Sequence, residues 1–285
     1  MPERTTTSGP TTTSRRPTTS GPTSSRPAPP SRVRRLLVPV LVLVALLGVT
    51  AFLLLGGQDG GGDREGSGSA PTAGAGPDDQ AGAVDMPAAD ASEEEIVSAL
   101  DGLARREEGD PTALGEVDAP VVMIAYSEFQ CPFCGRFARE TEPVLVEEFV
   151  EDGSLRIEWR DFPYLGEESR TAALAGRAAA AQDAFWAFEE AMFENQQPPN
   201  SGRVTPDFLA DVAEGVGLDR QQFLADLESE EVAAAVDRDF QEGQSIGVTG
   251  TPAFLINGRP VMGAQPTDVF VQVVEEALAE AEAGR

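Results

Sequence analysis

The chain of 285 residues contains no His and no Lys, and it has only two Cys. Without His it has neither a Ser-His-Asp or Cys-His nucleophile nor an imidazole metal ligand. Without Lys it has no P-loop lysine and no Schiff-base lysine. No metal site is therefore expected, and the chemistry left open is that of carboxylates, of a binding module or of the two cysteines.

Basic charge is also scarce, because 21 Arg face 48 Asp and Glu and the formal net charge is −27. Contact with nucleic-acid phosphates needs a basic surface, so no nucleic-acid partner is expected. The charge is uneven. Residues 1–35 hold seven Arg and one acid, a net +6, which leaves −33 on the remaining 250 residues.

Residues 36–55, at the boundary between these two parts, contain no charged side chain. A helix of that length spans about 30 Å, the thickness of a bilayer core. Arg32, Arg34 and Arg35 precede it, so the positive-inside rule places the N-terminus in the cytoplasm and the acidic part outside. The segment predicts a single-pass anchor in the cell membrane. A cleaved signal peptide is the alternative, but the 35-residue preamble favours the anchor.

The anchor is flanked by segments whose composition cannot bury a core. Residues 1–35 form a basic tail rich in Thr, Ser and Pro, and residues 56–90 a linker rich in Gly, Ala and Asp. Order is predicted from Ser92, where the pattern Ser92-Glu93-Glu94-Glu95 has the form of a capping box. An N-terminal helix is expected within 91–110, followed by one compact domain over 111–285.

The two cysteines lie at a predicted strand-to-helix junction. The run 121–126 is typical of a buried central strand, and Cys131-Pro132-Phe133-Cys134 follows it at the start of a helical pattern that extends to Gly153. Pro132 suits the first helical position, whereas Pro143 predicts a kink.

This spacing and position favour redox chemistry. Thiols three residues apart on a helix face the same side and can close a small disulfide ring. The helix N-terminus would lower the pKa of Cys131, while Cys134, one turn deeper, would be the buried resolving thiol. Apart from this disulfide, no cofactor is expected. A zinc site would need four ligands, and the chain has no His and no further Cys to complete them. A purely structural disulfide remains an alternative.

The segment 127–135, SEFQCPFCG, resembles the active-site segment of the DsbA-like thiol–disulfide oxidoreductases of the thioredoxin superfamily. A second matching segment, GVTGTPAFLING, occupies residues 247–258. The resemblance implies an α/β thioredoxin-like fold with a helical insertion at about 168–245. It also implies a cis-proline beside the disulfide, which here is Pro252, preceded by Thr251. The groove for substrate would be lined by Pro132, Phe133, Thr251 and Pro252.

The residues between and after the two motifs have the periodicity of regular elements. Residues 155–163 alternate like a strand, and 168–194 is typical of one Ala-rich helix whose aromatic side chains pack in the core. The pattern predicts three further helices, over 205–215, 219–227 and 229–243. It then predicts two strands, 253–257 and 260–263, joined by a turn at Asn257-Gly258, and a closing helix over 267–282.

Three positions depart from the pattern of the family. Phe133 stands where the best-studied DsbA proteins have His, so the Cys131 pKa should be less depressed and the disulfide less oxidising. Ala125 stands where many relatives have a buried acid that relays a proton. Glu128 is the nearest carboxylate and a possible substitute relay, although an exposed loop position is expected for it. Glu189 stands where relatives often have His.

The resulting hypothesis is a membrane-anchored, extracytoplasmic thiol–disulfide oxidoreductase that acts as an oxidase. Its substrates would be unfolded or thiol-containing exported proteins, an integral-membrane partner would reset its redox state, and the chain would be a monomer. Two alternatives are a reductase or isomerase of the same fold, and a tethered peptide-binding adaptor with a structural disulfide. A carboxylate enzyme is a third, but no acidic pair stands out in the sequence.

Overall fold

The structure, a computed structural model, describes residues 87–88 and 90–284. The predicted tail (1–35), membrane helix (36–55) and nearly all of the predicted linker (56–90) lie outside the described residues. Within the described part of the chain, no helix is both long and apolar enough to cross a bilayer. The membrane anchor therefore stays a prediction.

A five-stranded sheet forms the centre of the described domain, in the order β1-β3-β2-β4-β5. Strand β2 is parallel to β3, and the other neighbouring pairs are antiparallel. All seven residues of β2 are buried, as its apolar run predicts. The strands are β1 Ala113–Leu114, β2 Val121–Ser127, β3 Leu155–Asp161, β4 Ala253–Ile256 and β5 Arg259–Met262.

Nine α-helices lie within residues 90–284, and five of them, α4 to α8, connect β3 to β4. Together with the sheet they form a mixed α/β thioredoxin-like fold. The capping box at Ser92 is confirmed, with the Ser92 side chain and Glu95 bonded reciprocally. The helices are α1 Glu93–Asp101, α2 Pro132–Glu140, α3 Glu142–Leu145, α4 Glu167–Ala180, α5 Phe185–Glu194, α6 Pro206–Gly215, α7 Arg220–Leu227, α8 Glu230–Ser245 and α9 Thr267–Ala283.

The prediction of one helix over 168–194 is wrong, because the chain turns between α4 and α5. Asp183 takes a left-handed backbone conformation (φ 57°), which an α-helix cannot continue through. The N–H of Ala184 bonds back to the carbonyl of Ala179 at 3.1 Å and closes α4. The aromatic side chains of α5 are nevertheless core residues, as predicted: Phe185, Phe188 and Phe193 are all buried.

The interruption predicted at Pro143 is present, but it lies two residues earlier. Helix α2 ends at Glu140, Thr141 leaves ideal helical geometry (φ −108°), and α3 begins with Pro143 in its first turn. Proline lacks the N–H that an uninterrupted helix needs, so the hydrogen-bonded series restarts before it. A π-helical turn, Val146–Val150, then completes this stretch.

The polar residues of β3 are buried rather than exposed, although their alternation resembles that of a half-exposed strand. Arg160 is fully buried and bonds Glu158 at 2.9 Å and Glu242 of α8 at 3.0 Å. Burial raises the pKa of Glu158, but the charge of Arg160 and the backbone N–H groups of Arg105 and Arg106 together outweigh it and hold that pKa at about 2. The polar face of β3 therefore pairs with the inserted helices instead of with water.

A second set of ion pairs in the same place converges on Asp239 of α8. Its carboxylate bonds Arg105 at 2.7 Å and also Arg177 of α4, which in turn bonds Asp161 of β3 at 2.5 Å. Asp239 also accepts the backbone N–H of Asp161 at 3.0 Å. We call these residues, with Glu158, Arg160 and Glu242, the β3 ion network; it joins the sheet to α4 and α8.

Replacing Asp239 by Ala should destabilise the fold by about 1–3 kcal/mol, because Arg105 and Arg177 lose one hydrogen-bonded carboxylate but keep Glu242 and Asp161. Asp237→Ala on the same helix removes an exposed pair with Arg170 and should cost at most about 1 kcal/mol. Urea unfolding of both variants measures the difference. Equal midpoints would show that the β3 ion network contributes no more than a surface pair.

Candidate active site

Both cysteines lie where β2 gives way to α2. Cys131 is the residue immediately before α2, Pro132 takes the first helical position as predicted, and Cys134 lies on the first turn. Cys134 is buried, as predicted, with 1% of its surface exposed, but Cys131 is almost equally covered at 2%. Both are free thiols in this structure. Access to Cys131 therefore depends on the residues around it.

The two thiols differ strongly in acidity. The pKa of Cys131 is lowered to about 6, and the largest cause is a hydrogen bond from the Cys134 thiol. Burial raises this pKa, but the side chain of Thr251 and the backbone N–H groups of Cys134 and Phe133 lower it further. Burial raises the pKa of Cys134 well above its ordinary value. The helix N-terminus thus contributes as predicted, but the neighbouring thiol contributes more.

The second motif lies directly against Cys131. The Thr251–Pro252 peptide bond is cis, as the resemblance implies, and the Cys131 thiol donates to the Thr251 carbonyl at 3.3 Å. Thr251 Oγ1 is buried and has no hydrogen-bond partner in the described part of the chain. Both side chains are buried, so Thr251 and Pro252 form the wall of the site beside the sulfur rather than an open surface.

The open surface next to the cysteines is apolar and aromatic. Pro132 is exposed, and Phe133 has 57% of its surface in solvent. The guanidinium of Arg136 lies 5.5 Å from the centre of the Phe133 ring, a cation–π distance, and donates to the carbonyl of Ala264. Of the predicted groove residues, Pro132 and Phe133 are thus the ones that an incoming chain could contact directly.

Tyr164, which the sequence reasoning missed, also faces this surface, with 42% of its area exposed. Burial and then the charge of Cys131 raise the pKa of Tyr164, and a Cβ atom on Gly250, the residue before Thr251, would lie 3.9 Å from the Tyr164 hydroxyl. A single Tyr after a strand carries no pattern in the sequence that would have revealed this position.

Glu128 is not the exposed loop acid that was expected. It is 1% exposed, and the hydroxyl of Ser169 on α4 donates to its Oε2, while Oε1 has no hydrogen-bond partner among the described residues. Burial, and to a smaller extent the charge of Cys131, raises the pKa of Glu128 to about 7. The loop is covered because α4 packs over it, a long-range contact with no signature in the local sequence.

Two Gln side chains fix the loop that carries Cys131. Gln196, which follows α5, donates to the carbonyls of Phe129 and Cys131 at 2.9 Å each. Gln130 donates to Ser169 Oγ at 3.0 Å and accepts the N–H of Asn200 at 2.7 Å. These contacts, none of which the sequence predicted, attach the loop to α4 and to the segment that follows α5.

The arrangement can perform thiol–disulfide exchange. A thiol with a pKa near 6 is largely thiolate at neutral pH and is a good leaving group, and a second thiol lies within hydrogen-bonding reach of it. Glu128, a carboxylic acid with a pKa of about 7, lies close enough to that thiolate for its charge to raise the Glu128 pKa. Within residues 90–284, no group of three or more Cys, Asp and Glu is placed to hold a metal ion.

Comparison with known proteins finds similarity to thioredoxin-like proteins and to disulfide bond formation proteins. A family model described as Thioredoxin matches residues 107–276. The chain is 31% identical over 150 residues to the probable disulfide bond formation protein D of Bacillus cereus, covering 51% of this chain and 69% of that protein. It is 28% identical over 168 residues to the disulfide bond formation protein D of Bacillus subtilis, covering 58% and 76% respectively. The crystal structure of oxidised BdbD from Bacillus subtilis superposes with a TM-score of 0.56 at 28% identity, over 60% of this chain and 94% of that one.

Alkylation of the reduced protein by iodoacetamide should depend on pH with a midpoint near 6, since only the thiolate of Cys131 reacts. Below that pH the sulfur is protonated and the rate should fall; above it the rate should level off. Mass spectrometry should place the label on Cys131. A midpoint near the ordinary thiol value, or label on Cys134 at neutral pH, would contradict the predicted difference in acidity.

Proposed function

Since the chain belongs to the DsbA-like thiol–disulfide oxidoreductases of the thioredoxin superfamily, we propose that Cys131 and Cys134 are its reactive pair and form its redox-active disulfide. The observation that carries this proposal is the placement of the pair: Cys131 lies immediately before α2 and against the cis Thr251–Pro252 bond, and Cys134 is buried on the first turn of α2. No other thiol is available in the sequence.

In the oxidised state a substrate thiolate attacks Sγ of Cys131, forming a mixed disulfide and releasing Cys134, which takes up a proton. A second substrate thiolate then attacks the substrate sulfur of the mixed disulfide. Cys131 leaves as a thiolate, the substrate gains a disulfide, and the protein keeps two electrons as its reduced dithiol. The low pKa of Cys131 makes it the better leaving group in that second step.

We favour the oxidase direction because whatever stabilises the Cys131 thiolate stabilises the reduced protein, which makes its disulfide more oxidising. Equilibration with glutathione tests the direction. A potential near that of thioredoxin would favour the reductase or isomerase alternative. In the adaptor alternative, the reduced Cys131 would be unreactive at neutral pH.

The surroundings of the site support the proposed substrates. Phe133 and Tyr164 present exposed aromatic surface beside Cys131, which suits unfolded or thiol-containing exported proteins. Pro132 adds exposed surface to the proposed groove, and the buried Thr251 and Pro252 form its wall beside the Cys131 sulfur. We further propose attachment to the membrane through 36–55, an extracytoplasmic domain, an integral-membrane partner that resets the disulfide, and a monomeric state.

Replacing Cys131 by Ala should abolish exchange with a model dithiol peptide, because the attacked sulfur is lost. Cys134→Ala, mixed with the disulfide form of the peptide, should instead accumulate a mixed disulfide: the Cys131 thiolate attacks the peptide disulfide and releases one peptide thiol, and Cys134 is missing to release the other. Non-reducing electrophoresis and mass spectrometry separate the two outcomes. Full exchange activity in Cys131→Ala would overturn the proposal.

We also propose that Glu128 exchanges protons with the cysteine pair. Glu128→Gln keeps the shape of the side chain but cannot ionise, so the inflection near pH 7 in the exchange rate should disappear and the rate should fall by up to about 10²-fold. Glu167→Gln, an exposed acid at the start of α4, is the control and should keep the wild-type profile. An unchanged pH profile in Glu128→Gln would refute the relay.

A further inference from the structure

A second cavity, separate from the cysteine pair, lies between helices α2 and α3 on one side and α5 on the other. Its volume is ≈ 540 Å³, within the range of about 300–1,000 Å³ typical of small-molecule sites. One part of its wall is apolar, formed by Leu114, Pro143, Val146, Trp186 and Phe193.

The other part of the wall is acidic. Glu142, Glu189, Glu190 and Glu194 all line the cavity. Glu189 is only 3% exposed, and its Oε1 has no hydrogen-bond partner in the described part of the chain. A buried carboxylate oxygen without a partner is costly, which indicates that the site is complete only with a donor that the protein itself does not provide.

No basic side chain within residues 90–284 supplies that donor. Arg139 lines the same cavity, but its Nη1 donates to the carbonyl of Phe193 at 2.6 Å, and none of the described ion pairs includes any of the four glutamates. Burial and then the charge of Glu190 raise the pKa of Glu142 to about 8, and burial and the charge of Glu142 raise that of Glu189. Four glutamates therefore share the cavity with one arginine, and none of the described ion pairs joins it to them.

We propose that this cavity binds an organic cation, a primary ammonium group carried on an apolar stem. The ammonium would donate to Glu189 and Glu142, and the stem would pack on Val146, Pro143 and the indole of Trp186, which can also attract the cation. A bare metal ion fits less well. Seven of the twelve lining residues are apolar, and the described acids form no group suited to a metal.

Calorimetric titration of the full-length protein with n-hexylammonium chloride tests the proposal, at a pH above the Glu142 pKa of about 8. Saturable binding is expected. n-Hexanol has the same stem without the charge and should bind at least about tenfold more weakly. A hydrogen bond to a charged group commonly changes affinity by that factor or more. Sodium chloride at equal ionic strength should give no saturable heat.

Glu189→Gln removes the ionisable carboxyl with little change in shape and should weaken n-hexylammonium binding by about tenfold or more. Glu275→Gln makes the same chemical change at an exposed position of α9 and should bind as the wild type does. The Glu189→Gln protein should unfold at no lower a temperature than the wild type, because the variant loses a carboxyl whose ionisation is opposed by burial; misfolding therefore cannot imitate the expected loss.

Absence of saturable binding to the wild type, equal binding of n-hexanol, or unchanged affinity in Glu189→Gln would each overturn the proposal. The result does not depend on thiol chemistry, because neither Cys131 nor Cys134 lines this cavity. Loss of n-hexylammonium binding with full thiol–disulfide exchange activity in Glu189→Gln would assign the cavity a role of its own.

Discussion

The β3 ion network is the constraint on which the rest of the described domain depends. Three Arg and four carboxylates meet where β3, α4 and α8 pack together, and Arg160 and Glu158 in that contact are completely buried. Charges this deeply buried are tolerated only when each has its partner, so the inserted helices must dock on the sheet in one arrangement. That docking in turn brings α4 and the segment after α5 over the loop that carries Cys131.

The candidate active site separates two chemically identical side chains by their surroundings. Cys131 receives hydrogen bonds that favour its thiolate, from Cys134, from Thr251 and from the first N–H groups of α2. Cys134, one turn deeper, is surrounded by apolar core and keeps its proton. The neighbouring Glu128 has a pKa between those two, at about 7, because burial opposes its charge. On raising the pH, the three groups therefore lose their protons in the order Cys131, Glu128, Cys134.

Local features of the sequence predicted local structure well. The capping box at Ser92, the apolar run of β2, Pro132 at a helix start and the turn at Asn257-Gly258 all depend on residues close in sequence, and the structure contains each. The burial of Glu128 and the role of Gln196 depend instead on contacts across 41 and 65 residues. The turn at Asp183 was missed because the Ala-rich pattern continues through it with helical periodicity.

The hydrogen bonds of Gln196 make the inserted helices part of the active site. The two carbonyls that Gln196 satisfies belong to Phe129 and Cys131, in the thioredoxin-like half of the domain, whereas Gln196 itself belongs to the inserted half. A shortened domain without the insertion would leave both carbonyls without these donors, and it would open Glu128 to water and return its acidity to that of an ordinary carboxylate. The inserted half is therefore not an accessory to an independent redox module, and the cysteine motif transplanted alone would not carry its chemistry with it.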